Sequence, residues 1–266
     1  MKTKPAIADS FWLRVLRFGL VGVLVLGVFS FFVGQVFYVP SPSMVPTIRV
    51  GDVVLATKYS YGLRPYSMLG SVSLGSDWAI WPGTPRRGDI VVVKGTGAPG
   101  TPSGGTVIKR VIGLPGDAIR LVEGRLFVQT EPVTLDIVGP VEDSSDNFLD
   151  RRRSFYFQET LPDVDGNQGP TRPVSYVIAD AGANPNDNFG PFTVPKGHMF
   201  LMGDNRDNSS DSRTVALGTV PMENLLGRAQ MVLLSLKTNA GSANDRQVEA
   251  VSGWPFRADR WFRKID

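Results

Sequence analysis

Hydrophobic positions along the chain follow two patterns. Residues 18–37 read FGLVGVLVLGVFSFFVGQVF, twenty positions without a charge, with Ser30 and Gln35 the only polar side chains. A helix of that length rises about 30 Å, the thickness of a bilayer's hydrocarbon core. The run is longer than the apolar stretch of a cleavable leader, and it exits through Phe37, Tyr38, Val39 and Pro40, a poor cleavage site. It therefore predicts an uncleaved transmembrane helix at 18–37. Beyond it the apolar runs become short and are separated by turn residues. They predict strands at 52–56, 89–93, 106–112, 117–122, 125–128 and 229–236. From 132 to 195 the chain turns polar, with arginines at 151–153 and the loops DVDGNQGP and AGANPNDNFGP, which suggests an inserted subdomain or elaborated loops. The expected class is mainly β. The 29 glycines and 20 prolines among 266 residues also favour turns and short strands over a helical bundle.

Charge locates the partners. The net charge is +3, and residues 1–17 carry all of it through Lys2, Lys4, Arg14 and Arg17 against Asp9. The rest of the chain sums to zero, so no nucleic-acid partner is expected. Positive charge ahead of an apolar span stays in the cytoplasm, which places the N-terminus inside and residues 38–266 outside. The tail WPFRADRWFRKID (254–266) sets Trp254, Phe256, Trp261 and Phe262 among Arg257, Arg260, Arg263 and Lys264. That mixture suits a membrane–water interface, or equally a terminal segment packed on the domain.

Composition removes most hydrolytic designs. There is no cysteine, so disulfides, thiolate zinc sites, iron–sulfur clusters and thiol nucleophiles are excluded. There is one histidine, His198, in KGHMFLMGD at an expected strand start, and no spacing ties it to a serine. Asp163, Asp165 and Asn167 mimic the start of a calcium loop, but Gln168 and Val174 stand where glycine and glutamate are required. Asp204, Asp207 and Asp211 are interleaved with Arg206 and Arg213, which favours ion pairs over metal ligation. No metal or cofactor is expected.

Serine can still be activated by a lysine that burial keeps neutral. Lys109 lies inside an apolar strand, Thr106-Val107-Ile108-Lys109-Arg110-Val111-Ile112, and by alternation shares a face with Val107 and Val111. Arg110 falls on the opposite face between Ile108 and Ile112. A serine-bearing segment, PSPSMVPT (40–47), follows the apolar run at once, and its three prolines stiffen it. By composition it is a rigid linker or a preorganised presentation of a hydroxyl at the membrane surface.

Five ordered blocks carry a resemblance: the apolar span, PSPSMVPTIRVGDVVLATKYSYG (40–62), RRGDIVVVK (86–94), VIKRVIGLPGD (107–117) and GDNRDNSSDSR (203–213). Together they resemble the bacterial type I signal peptidases, the Ser/Lys leader-peptide proteases. The resemblance implies a basic cytoplasmic tail (1–17), a transmembrane helix (18–37), and a catalytic core of antiparallel sheets (38–119 and 196–266) with a more variable β subdomain inserted at 120–195. It implies Ser43 as nucleophile and Lys109 as general base, with the Ser43 N–H and the Ser41 hydroxyl as oxyanion donors. Ser209 would hydrogen-bond the Lys109 amine. Asp204 with Arg110, and Asp211 with Arg213, would be bracing ion pairs. Phe37, Val39, Pro40, Met44, Ile48, Val54, Val92 and Ile108 would line the pocket for small substrate side chains. Pro42 departs from the family, standing where glycine is common. The implied substrates are signal peptides of exported preproteins, cut after small-x-small motifs, and the implied partners are the lipid bilayer and the export translocon. A membrane-anchored binding domain would explain the span and the β pattern but not GDNRDNSSDSR.

Overall fold

A computed structural model describes residues 6–32, 34–62, 82–96, 105–139, 155–162, 173–237 and 254–265. Lys2, Lys4, the arginines at 151–153 and the DVDGN loop lie outside the described residues. The chain opens with a helix, α1 (Ala6–Phe32), followed by strand β1 (Gly34–Tyr38), which pairs antiparallel with β2 (Asp52–Thr57). The apolar run is thus divided. Its last residues form a strand rather than the end of a helix, which corrects the expected span at 18–37. Hydropathy does not distinguish the two states, but local sterics do. A Cβ on Gly34 would lie 2.8 Å from the Ala56 carbonyl oxygen, so glycine lets the chain lie flush against β2. Every side chain described from Phe11 to Val28 is exposed. Among the described residues no helix is long and apolar enough to cross a membrane.

The remaining strands are β3 (Ile90–Lys94), β4 (Thr106–Gly113), β5 (Ala118–Val122), β6 (Arg125–Val128), β7 (Glu131–Pro132), β8 (Thr134–Ile137), β9 (Phe155–Leu161), β10 (Val174–Asp180), β11 (Phe189–Thr193), β12 (His198–Met202), β13 (Val220–Pro221), β14 (Leu225–Ser235) and β15 (Arg263–Lys264). The largest sheet runs β1-β2-β14-β3-β4-β12-β13, with β15 on β14. Two smaller sheets, β10-β9-β8 and β11-β5-β6-β7, draw on residues 118–193. All the strand pairs are antiparallel, so the mainly β, antiparallel expectation holds. The sequence pattern located β2 to β6 and β14 within a few residues. It gave no signal for β8 to β11, whose faces are mixed.

Packing places β4 at the centre. β3 is apolar at four consecutive positions, all buried, and pairs with β4 on one side while β12 pairs on the other. Register sets Val91 opposite Lys109 and Ile90 opposite Arg110. One core cluster, including Ile112, Ile119, Leu126, Tyr176, Ile178 and Phe200, joins the large sheet to both smaller ones.

The connection from β1 to β2 is a loop whose neck is closed by Val39 and Gly51. The Val39 N–H donates to the Asp52 carbonyl at 2.9 Å and the Gly51 N–H to the Val39 carbonyl at 2.9 Å. Gly51 takes φ 89°, a left-handed conformation that glycine adopts without a steric penalty. The C-terminal segment straps this loop from outside. The Arg260 guanidinium pairs with the Asp52 carboxylate at 2.6 Å and donates to the Thr47 carbonyl at 3.1 Å. Arg257 donates to the Val50 carbonyl at 2.9 Å, and Ile265 joins the core beside Met44 and Ile48. The segment is therefore packed through its arginines, while Trp254 and Phe262 stay exposed.

Arg260→Met should destabilise the protein by about 3–5 kcal/mol in urea or thermal unfolding, because it strands a fully buried carboxylate at Asp52. A loss below about 1 kcal/mol would show that the strap contributes no stability.

Candidate active site

Ser43 sits in the β1–β2 loop, held by backbone contacts at both ends. The Val45 N–H donates to the Pro42 carbonyl at 3.1 Å, and the Ile48 N–H to the Met44 carbonyl at 2.9 Å. Lys109 arrives from the middle of β4, 66 residues away in sequence. Its Nζ lies 2.6 Å from Ser43 Oγ and donates to the Ile108 carbonyl at 3.1 Å. Both residues are buried, Ser43 at 7% and Lys109 at 4% exposure. The Ser41 hydroxyl lies 3.3 Å from that of Ser43.

Burial dominates the lysine's electrostatics. Desolvation penalises the ammonium and brings the pKa down to about 8 from 10.5. The Asp211 and Asp204 charges oppose this, and the Arg213 charge reinforces it. Each of these carboxylates has a partner guanidinium. Arg213 contacts Asp211 twice, at 2.9 Å each. Arg110 meets Asp204 with two bonds of 2.8 Å and donates a third to the Gly88 carbonyl. Burial pushes the Asp211 carboxyl up, but the Arg213 contacts and the Gly203 N–H hold it below its ordinary value.

Comparison with known proteins gives the family. Residues 12–234 match the family described as signal peptidase, peptidase S26. A signal peptidase I from Rickettsia typhi is 39% identical over 207 residues, covering 76% of this chain and 72% of its own. One from Pseudomonas fluorescens is 36% identical over 221 residues, 80% of this chain and 68% of its own. The chain belongs to the signal peptidase family. It is a serine peptidase, a hydrolase. A signal peptidase I of known crystal structure from Enterococcus faecalis is 25% identical, matched over 55% of this chain and 97% of its own, with a TM-score of 0.29.

Two expectations about this peptidase need correction. The Ser209–Lys109 hydrogen bond is not made. The Lys109 amine faces Ser43 Oγ and the Ile108 carbonyl, whereas the Ser209 hydroxyl interacts with the Asp211 carboxyl. Ser209 is nevertheless close by, because Gly203 separates it from Ser43. A Cβ there would fall 2.2 Å from Ser209 Oγ and 2.5 Å from the Ser43 carbonyl oxygen. The expected pocket wall is mostly core. Val39, Met44, Ile48 and Val54 close-pack with Ile90, Val232 and Ile265, and Val92 packs with Ala56 and Leu226. Interiors fill to crystal-like density, so apolar residues behind a nucleophile become its floor. Phe37 and Ile108 are half-buried against these clusters, and Pro40 is exposed.

Sequence reasoning missed four polar contributors, Thr47, Tyr176, Glu159 and Asn205, and left Arg206 without a named partner. Thr47 Oγ1 donates to Asp204 at 2.5 Å. The Arg110 guanidinium stacks 3.9 Å over the Tyr176 ring, and the Tyr176 hydroxyl donates to Glu159 at 2.6 Å. Arg206 closes the chain as a buried pair with Glu159. Asn205 contacts the Ser43 segment directly. Asn205 and Arg206 lie within GDNRDNSSDSR, whereas Glu159 and Tyr176 had no local signal.

The buried lysine has a testable cost. Its folded pKa lies below its unfolded one, so between about pH 8 and 10.5 the unfolded chain binds more protons and the native state gains stability as pH rises. Lys109→Met, which removes the titration, should be more stable than wild type near pH 7. Its advantage should narrow by about 3 kcal/mol on passing to pH 10.5. A pH-independent difference in denaturation midpoints would mean that burial does not lower the Lys109 pKa.

Proposed function

We propose that the chain is a membrane-anchored endopeptidase that removes signal peptides from exported preproteins, with Ser43 as nucleophile and Lys109 as general base. The observation that carries this is the buried 2.6 Å contact between Lys109 Nζ and Ser43 Oγ. A neutral amine accepts the Ser43 hydroxyl proton as Oγ attacks the scissile carbonyl carbon. The tetrahedral oxyanion is received by the Ser43 N–H and the Ser41 hydroxyl. As the intermediate collapses, the C–N bond breaks and the Lys109 ammonium protonates the leaving amine. Water then attacks the acyl-enzyme, again losing its proton to Lys109, and Ser43 is regenerated. The pair Arg110–Asp204 braces β4 against the loop carrying Ser209, and the pair Arg213–Asp211 braces that loop internally. The closed apolar floor behind Ser43 favours small side chains at the cleavage position, with Phe37 and Ile108 at its rim.

The exposed apolar side chains of α1, from Phe18 through Val28, support embedding of that segment in a bilayer. The basic residues before it favour a cytoplasmic N-terminus and a catalytic domain on the outer face. Enzyme and signal peptide then share one membrane, which raises their encounter rate, with the translocon delivering the substrate. The sheets support a division into a core and an insertion, with bounds a few residues from the expected 38–119, 120–195 and 196–266. The Ser43–Lys109 sheet draws on residues 34–113 and 198–264, and the small sheets on 118–193.

Incubation with a preprotein ending its leader in Ala-x-Ala provides the test. Ser43→Ala and Lys109→Ala should abolish cleavage, and Lys109→Arg should too, because arginine stays protonated. Full activity in any of the three overturns the mechanism. For wild type, kcat/KM should rise with pH to a plateau with a midpoint near about 8, the pH at which Lys109 becomes neutral. Ser41→Ala should lower kcat by about 10²–10³ with KM unchanged. An effect on KM alone would reduce Ser41 to a substrate contact.

A further inference from the structure

Asn205 occupies the position before a short 3-10 turn, Arg206–Asn208, where an asparagine side chain ordinarily accepts from the backbone N–H groups that follow. Here it makes no such cap. Its Nδ2 instead donates to the Pro42 carbonyl at 3.2 Å, across 163 residues of sequence. Its backbone N–H donates to the Ser43 carbonyl at 3.1 Å. One residue therefore holds the carbonyls on both sides of the Ser43 N–H. Asn205 is itself fixed. The preceding carbonyl, of Asp204, accepts from the Ala179 N–H on β10 at 2.8 Å, and its own carbonyl accepts from Asn208 at 3.1 Å. Among the described residues nothing accepts from the Ser43 N–H.

We infer that Asn205 is a positioning residue for the oxyanion hole: its amide holds and polarises the Pro42–Ser43 peptide group so that the Ser43 N–H points at the developing oxyanion. This rests on the proposed reading of Ser43 as nucleophile. A peptide carbonyl that accepts a hydrogen bond makes its own N–H a stronger donor, because the dipoles polarise one another. The Pro42 carbonyl accepts two, from Val45 and from Asn205. Proline at 42 supplies no donor of its own and restrains φ on one side of this peptide. Asn205 restrains it on the other. A donor fixed before reaction is worth more than one that must reorient during it.

The test compares Asn205→Ala and the near-isosteric Asn205→Leu with wild type on the full-length chain in detergent. Both variants remove the side-chain amide and keep the backbone contact to Ser43. Each should lower kcat by about tenfold, the loss expected for one hydrogen bond, with KM within about twofold. The pH midpoint of kcat/KM should not move, since Lys109 is not touched. Affinity for a peptide aldehyde, which forms a tetrahedral adduct on Ser43, should fall in parallel with kcat, while affinity for the cleaved leader peptide stays constant. Wild-type kcat in either folded variant overturns the inference. So does a loss confined to KM, a shifted pH midpoint, or unchanged aldehyde affinity. Ser43→Ala and Lys109→Ala run alongside separate the two readings. If they retain activity, the catalytic assignment fails. If they are inactive while the Asn205 variants match wild type, only the role of Asn205 fails.

Discussion

A primary amine held 2.6 Å from a hydroxyl and sealed from water is the constraint on which the rest of the structure depends. Burial lowers the affinity of Lys109 for its proton, but two carboxylates close by, Asp211 and Asp204, work in the other direction. Left bare, either would favour the ammonium more strongly. The structure answers by giving each a bidentate arginine, Arg213 and Arg110. A carboxylate already neutralised by a guanidinium attracts a neighbouring ammonium less than an isolated one does. The ion pairs around the site thus have an electrostatic consequence beyond bracing: they let acidic residues order the backbone near a lysine while its pKa stays below its ordinary value.

Burying such charges is costly, so each must be fully met by partners, and the fold is organised around meeting them. Asp204 takes two bonds from Arg110 and one from Thr47, in the loop that carries Ser43. Asp52, at the neck of that loop, takes Arg260 from the C-terminal segment. The Ser43 loop is therefore tied to a β-strand, to the block at 203–213 and to the chain terminus. These three regions are remote in sequence and come together only because β14 and β4 lie in one sheet. Central placement of β4 between β3 and β12 explains why a lysine on it is both buried and fixed. An edge strand would leave its amine in water.

The sequence made local chemistry legible and long-range completion illegible. Strand β4 was readable because Val107, Ile108, Val111 and Ile112 frame Lys109 and Arg110, and the class of the fold followed from short apolar runs between turns. The strand at Gly34–Tyr38 was hidden because it continues an apolar run that hydropathy alone assigns to a helix. Of the residues expected to line a pocket, Met44, Ile48 and Val54 lie in a closed core cluster, since a list of apolar residues does not say which face of the cluster is open. Ser209 was placed beside the site but not on the lysine. Thr47, Glu159 and Tyr176 had no signature at all, because a single hydrogen bond or ring stack leaves no periodic trace.

Glu159 and Tyr176 also change how the polar region between the two core segments should be regarded. Arg206 is buried and needs a counter-charge; Glu159 on β9 supplies it. The Arg206 carbonyl accepts from Arg213, whose guanidinium in turn holds Asp211. Tyr176 on β10 bonds the same glutamate and lies under the Arg110 guanidinium. A side chain in the sheet β10-β9-β8 therefore touches, through one intermediate residue, each of the two arginines that keep the carboxylates near Lys109 neutralised. The glutamate is the costly residue to exchange, because removing it leaves the buried Arg206 guanidinium without its counter-charge, and low local dielectric makes such a defect expensive.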